Sequence, residues 1–319
     1  MNTAHLHPSP APLPGLENAS VGAPITRLGV SLIPVYLHRR PTLTDVDVAG
    51  LIATGNNASV TIGEQPEAEV PTLLAENHGD ALALLVSGQI VEGGLQTRVL
   101  NVSVLIDGRT KLPIPVSCVE QGRWGGGRQF RQGDTFAPRR VRRAKDETVA
   151  ASVLSSGSKR TNQGRVWDAV ASELTRMNVD DDSHRLSAAA IRFDEDRALA
   201  EAVRELRELG PLPGQCGIVV AHGKRIVSVE VFATPELLAA HWDALVNGIL
   251  LDAPNSLPSS TPSLTRALRF VRRLATADAT VTPGVGLGRE HHVRTKRLVG
   301  QALVHDNFVV HASAFALAA

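Results

Sequence analysis

A chain of 319 residues with 43% hydrophobic and 20% charged side chains has the length for two ordinary domains and the make-up of a soluble globular protein. Two cysteines, Cys118 and Cys216, are too few for a disulfide framework or a zinc finger, and the apolar runs fall short of the roughly 20 residues that cross a bilayer. The net charge of +1 conceals an uneven distribution: residues 1–120 carry −5, residues 121–165 carry +8 and residues 166–319 carry −2.

Residues 1–25, with Pro8, Pro10, Pro12, Pro14 and Pro24, are expected to be a disordered proline-rich start, and they lack the pattern of a secretory signal. Without export the tripeptides at Asn18, Asn57 and Asn101 carry no glycosylation meaning, and a cytoplasmic location is expected. Residues 26–124 read as a β-rich domain, with short β-branched runs at 29–36, 58–63, 82–86, 98–106 and 112–119. Asp107-Gly108 predicts a hairpin that sets Val102 and Val104 beside Ile114 and Val116. Residues 125–161, rich in Gly and Arg and without periodicity, read as a basic linker.

Residues 162–319 read as an α+β domain. A helix is predicted over 164–177, with Val166, Trp167, Val170 and Leu174 on one face. A strand over 188–193 precedes a helix capped by Asp194 and carrying Leu199, Ala202, Val203 and Leu206 inward. A hairpin over 217–231 turns near His222-Gly223, and Thr234-Pro235 opens a helix to about residue 251. After a Ser/Pro loop at 254–260, Thr261-Pro262 opens a last helix. Leu264, Ala267, Leu268, Val271 and Leu274 face inward, with Arg266, Arg269, Arg272 and Arg273 outward. An echo between Gly214-Gln215 to Phe232 and Gly300-Gln301 to Phe315 points to two hairpins in one antiparallel sheet. The fold class is α+β, a β-rich N-terminal half followed by an α/β sandwich-like half.

Chemistry concentrates at residues 114–124, IPVSCVEQGRW, where an apolar strand ends in Cys118, Glu120, Gln121, Arg123 and Trp124. Gln96 and Arg98 follow Gly93-Gly94 on the expected partner strand. Cys118 reads as a nucleophile, its thiolate favoured by Arg123, or as a buried strand cysteine. Glu120 reads as a general base or ribose grip, or as the ion-pair partner of Arg98 or Arg123. Gln96, Arg98, Asn101, Gln121 and Arg123 suit ligand donors, and Trp124 suits stacking or a sheet-edge cap. Gly284, Gly286 and Gly288 with Arg289 read as an anion nest of backbone N–H groups or as a plain turn. His291 and His292 fall on opposite faces of a strand, and His311 shares a face with Ser313. No spacing suggests a metal site, and no cofactor is expected. The cluster at 139–145 reads as a solvated linker or as an arm holding phosphates over the site. The scarcity of aromatic residues disfavours nucleic acid.

Residues 82–124 resemble the ARG- and rhodanese-phosphatase-superfamily-associated protein domain in three blocks. These are the G-x-x-Q-x-R turn from Gly93 to Arg98, the N-x-S-V-L strand from Asn101 to Leu105, and V-S-C-V-E-x-G-R-W from Val116 to Trp124. Gln163-Gly164, Trp167, the runs ending at Phe232 and Phe315, and Gly284 to Gly288 extend the resemblance over residues 71–315. It implies company with ADP-ribosylglycohydrolases and phosphatase-type proteins. The expected function is therefore binding, with or without hydrolysis, of ADP-ribose or a related NAD-derived phosphate ligand. The alternatives are a protein-interaction or homo-oligomer module whose polar motif is structural, and a thiol hydrolase built on Cys118.

Overall fold

The computed structural model describes residues 7–38, 46–47, 59–254 and 260–317. Asn57, the Ser/Pro loop over 255–259 and the first six residues of the proline-rich start lie outside them. In chain order, the first strands are β1 (Ser9–Pro10), β2 (Ser20–Val21), β3 (Ile25–Arg27), β4 (Val30–Tyr36) and β5 (Val46–Asp47). Next come β6 (Val60–Gly63), β7 (Thr72–Asn77), β8 (Leu82–Leu85), β9 (Gln89–Gly93) and β10 (Arg98–Leu100). Then follow β11 (Val104–Ile106), β12 (Lys111–Cys118) and β13 (Gln129–Phe136). Helices α1 (Arg139–Ser156), α2 (Gln163–Met177), α3 (Arg192–Glu195) and α4 (Arg197–Leu209) lead to β14 (Gly217–His222) and β15 (Arg225–Phe232). After α5 (Pro235–Leu250) and α6 (Leu264–Ala275), the chain ends in β16 (Asp278–Pro283), β17 (Arg289–Arg294), β18 (Leu298–His305) and β19 (Phe308–Ala316).

The fold is α+β, built on antiparallel sheets. Among the described residues ten strands form one sheet in the order β1-β16-β17-β18-β19-β15-β14-β4-β2, with β3 also on β4. Its central strands read as continuous apolar runs because both faces are covered. Leu32, Ile218 and Val220 pack with Leu237 and Trp242 of α5 and Leu206 of α4. Their neighbours Ile33, Val219 and Ala221 pack with Val271 and Leu274 of α6. Period-two alternation thus feeds two separate cores from the same strands. The two hairpins of the sequence echo, β14–β15 and β18–β19, lie side by side in this sheet through the β15–β19 pair.

Strands β10-β12-β7-β6-β13-β9 close into a barrel, with Val60, Ile62, Leu73, Val91, Leu100 and Val116 among its core. Val99, Ile90 and Val119 alternate outward and pack on α1 and α2 through Val141, Val166 and Val170. The predicted 107–108 hairpin takes a different form. Strand β11 leaves β12 and pairs with β8, Val104 opposite Leu85, while β10 keeps β12 in the register Leu100↔Val116 and Arg98↔Cys118. Val102 and Val104 therefore do not oppose Ile114 and Val116. The break falls at residues 101–103, where the Asn101 carbonyl turns aside to accept from Lys145 and Gln301.

Five further local expectations are corrected. The described part of the proline-rich start is ordered: β1 sits at the sheet edge, where proline is tolerated, and Leu13 and Leu16 are buried against α6. Residues 125–161, read as a linker, contain strand β13 and the 18-residue helix α1, which ends at Gly157 in the left-handed region (φ 69°). The buried face of α1 includes Arg142, Lys145 and Asp146, so it shows no apolar periodicity. The predicted strand at 188–193 is a 3-10 turn (Leu186–Ile191) running into α3; only Leu186 and Ala189 are buried in that turn, at its period of three. Asp196, not Asp194, caps α4 by accepting from the Leu199 N–H at 3.1 Å, and Ser263 caps α6, leaving Leu264 exposed.

No helix among the described residues is long and apolar enough to cross a membrane.

Candidate ligand-binding site

The register of β10 against β12 brings the two halves of the motif together. Arg98 and Cys118 are Cα partners. Alternation places both on the inner face, two residues beyond the barrel-core residues Leu100 and Val116. Past the strand ends, Glu120 is 1% exposed. Its Oε2 accepts from the Thr97 N–H at 2.8 Å and the Thr97 hydroxyl at 2.9 Å. Arg123 closes on the same carboxylate as a fork, Nε to Oε1 at 2.9 Å and Nη2 to Oε2 at 2.8 Å. The rest of that guanidinium donates to the carbonyls of Gly93, Gly94 and Gly125. Gln96 donates from Nε2 to the Glu120 carbonyl at 3.0 Å. From the start of α2, Gln163 clamps both backbone groups of Cys118, accepting its N–H at 2.9 Å and donating to its carbonyl at 2.7 Å.

This arrangement fastens the barrel end to the 120–125 turn. Burial pushes the Glu120 carboxyl up, but the Arg123 fork and the Thr97 donors outweigh it and hold the carboxyl below the ordinary range. Burial pushes the Cys118 thiol up, against the Glu120 backbone hydrogen bond and the Arg98 charge. Arg123, expected to favour a thiolate, is spent on Glu120 instead. Cys118 is therefore a buried thiol whose surroundings disfavour the thiolate. Replacing Glu120 with alanine is expected to cost about 2 kcal/mol. That is below the usual range for a broken buried pair, because the half-exposed Arg123 can rehydrate. Glu120→Gln, which keeps an acceptor for Thr97, is expected to cost about half as much; urea midpoints for the two variants check this.

The remaining candidates scatter. Gln121 is exposed and Trp124 is 57% exposed, with no stacking partner among the described residues. Asn101 is spent within the protein, its Oδ1 accepting from Ser117 at 2.6 Å and its Nδ2 donating to the Lys159 carbonyl at 3.0 Å. The glycine turn docks on β11 instead of joining the Cys118 end of β12. There the Leu287 N–H donates to the Leu105 carbonyl at 2.8 Å, and a Cβ on Gly286 would strike that carbonyl. The Gly284 N–H goes to the Gly288 carbonyl and the Val285 N–H to Glu290, so the nest is already filled by protein oxygens. Arg289 lies beyond it, exposed at the start of β17.

The basic run at 139–145 is neither solvated linker nor phosphate arm. Arg139 pairs with Asp252, Arg140 with Glu173 and Asp252, and Arg142 with Glu230. A buried network then joins barrel, helix and sheet. Lys145 Nζ donates to Asp146 Oδ1 (2.5 Å), the Asn101 carbonyl (2.6 Å) and Ser87 Oγ (2.8 Å). Gln301 on β18 donates to the same three acceptors. Beside it His311 bridges Ser103 Oγ (2.8 Å) and Glu230 Oε1 (2.7 Å). These groups are nearly or completely buried. Of them, the sequence reading singled out only the basic run, Asn101 and His311. The His311 partner is Ser103, 208 residues away, and not Ser313.

An open basin of about 900 Å³ lies elsewhere, over the end of the ten-stranded sheet beside α6. Arg266, Arg269 and Arg273 line it from one face of α6, Lys224 from the β14–β15 turn and Arg225 from the start of β15, and Lys296 and Arg297 from the β17–β18 turn. Ile226, Phe270, Ala316 and Leu317 make its apolar part. The α6 arginines follow from amphipathicity: Ala267, Phe270, Val271 and Leu274 face the core at helical spacing, which turns the arginines outward. None of the seven cations lies in an ion pair with a carboxylate among the described residues, whereas the arginines of α1 are matched by carboxylates. Three separate segments supply the basin's cations within a stretch whose linear charge balance is −2, so no charge run in the sequence marks it.

The family model for the ARG and Rhodanese-Phosphatase-superfamily-associated Protein domain, ARPP-1, matches residues 18–315. The chain belongs to this family. The ARPP-1 match encloses the barrel-end motif, the buried network and all of the basin but the Ala316-Leu317 edge. Comparison with curated proteins finds no match, and comparison with solved structures finds none. Among the described residues no group of three or more His, Cys, Asp or Glu could hold a metal ion.

Proposed function

We propose that this protein binds a phosphate-bearing ligand in the α6 basin, with ADP-ribose or a related NAD-derived compound as the class to test first. One observation carries the reading: seven cationic side chains surround an apolar patch with no carboxylate partner among the described residues. Unneutralised cations in a concave surface focus a positive potential that attracts phosphates. The apolar patch at Phe270 and Leu317 suits the base or ribose edge of a nucleotide, and arginine forks suit its phosphates. The company implied by the family's name supplies the choice of ADP-ribose. The motif at Cys118 and Glu120 takes a structural part in this reading, supported by the saturation of Glu120 by Arg123 and Thr97. No reaction is assigned to it.

Calorimetry with ADP-ribose and NAD tests the proposal. Binding is expected to weaken with added salt, and Arg269→Ala with Arg273→Ala is expected to cost about tenfold per arginine, the worth of one charge-assisted contact. Absence of heat with either compound, or binding unaltered in the double variant, would remove the reading.

A further inference from the structure

Arg98 is the bulkiest of the fully buried side chains among the described residues, at 0% exposure. Its Nε donates to the Val70 carbonyl at 3.3 Å, but neither Nη1 nor Nη2 has an acceptor among the described residues. No carboxylate among the described residues lies within ion-pair distance of it, since Glu120 is committed to Arg123 and Thr97. An ionised guanidinium with two unsatisfied amino groups in a protein interior is costly, and native structures rarely leave one so. Nearby acceptors are left open too. Glu64 uses Oε1 to accept from the Leu95 N–H at 2.9 Å, while its buried Oε2 and the Gln96 Oε1 have no donor among the described residues. Burial pushes the Arg98 guanidinium down, with Cys118, Glu64 and Glu120 pulling it back up, so these groups share one electrostatic neighbourhood at the barrel end.

Donors without acceptors beside acceptors without donors describe the imprint of a ligand carrying both. We infer that this end of the barrel binds a compact oxyanion that also bears a hydrogen-bond donor, hydrogenphosphate being the simplest. Two of its oxygens rest on Arg98 Nη1 and Nη2, and its hydroxyl is directed to Glu64 Oε2. The bidentate match of a guanidinium to such an edge supplies orientation. Sulfate, which has the same shape but no hydrogen at neutral pH, leaves Glu64 unsatisfied and sets a carboxylate against an anion. The glycine run Gly125-Gly126-Gly127, exposed at its last two residues, borders this end, where Arg123 holds the Gly125 carbonyl, and open space surrounds a Cβ placed on Gly125 or Gly127. This site is separate from the α6 basin and does not depend on it.

Thermal unfolding of the full chain carrying Arg269→Ala and Arg273→Ala, so that the basin does not report, tests the inference. Millimolar inorganic phosphate is expected to raise Tm by about 3–5 °C, and sulfate at equal ionic strength by less. In that background Arg98→Met is expected to abolish the phosphate shift. Glu64→Gln is expected to erase the preference for phosphate over sulfate, and so provides a readout should Arg98→Met not fold. No phosphate shift, an equal response to sulfate, or a shift that survives Arg98→Met would overturn the assignment.

Discussion

Lys145→Ala is expected to lower the unfolding free energy by about 3–5 kcal/mol, the range for removing one member of a buried ion pair. Lys145 is fully buried, and its ammonium spends its donors on Asp146, Asn101 and Ser87. Burial pushes that ammonium's pKa down, with the Asp146 charge the main force opposing it. Truncation leaves the Asp146 carboxylate, itself 3% exposed, with Gln301 as its remaining side-chain donor among the described residues. The loss comes from that stranded charge more than from the pair's own worth. Lys145→Met with Asp146→Leu should therefore recover most of it, because both charges go together and Gln301 still bonds Ser87 and Asn101. Urea midpoints for the single and double variants decide the matter. A single variant within 1 kcal/mol of the parent, or a double variant worse than the single, would contradict it.

The same residue shows why part of this molecule is hidden from sequence. Lys145 belongs to a run of positive charge that reads as a linker, since a helix with arginine, lysine and aspartate on its buried face lacks an apolar stripe. Charge counted along the chain is not charge in space: the +8 of residues 121–165 is offset by Glu173, Glu230 and Asp252, which lie far downstream. The cations left without carboxylates come instead from turns and a helix face dispersed over residues 224–297. What is legible is what local rules control. Short β-branched runs marked β4, β6, β8 and β12, proline at the first helical position marked the start of α5, and the motif's two halves do meet at the Arg98↔Cys118 register. Whether polar groups that meet face a ligand or each other depends on how their hydrogen bonds are distributed. Glu120 is saturated by its neighbours and Arg98 is not, a difference that no spacing in the sequence encodes.

Between about pH 7 and pH 4 the protein is expected to lose about 3 kcal/mol of stability through His241 alone. His241 is fully buried in α5, its ring stacked on Phe232 at 5.2 Å between centroids and edge-on to Phe136 at 6.2 Å. Burial pushes its pKa down to about 4, against the hydrogen bond to the Leu237 carbonyl at 2.8 Å, which takes the Nδ1 proton. A second proton on Nε2 would find no acceptor among the described residues. The folded-state value lies below the ordinary one near 6.5, so above pH 6.5 neither state is charged and nothing is lost. As pH falls below 6.5 the unfolded chain takes up a proton that the native state refuses, and stability declines until the buried ring itself titrates near pH 4. His222, also lowered to about 4 by burial and the arginines around it, adds a parallel loss that any His241 variant retains. His241→Phe preserves the aromatic packing and removes the titration. Its urea midpoint should consequently fall less steeply than the parent's between pH 6.5 and pH 4, and two curves of equal slope would show that protonation of this ring does not govern acid sensitivity.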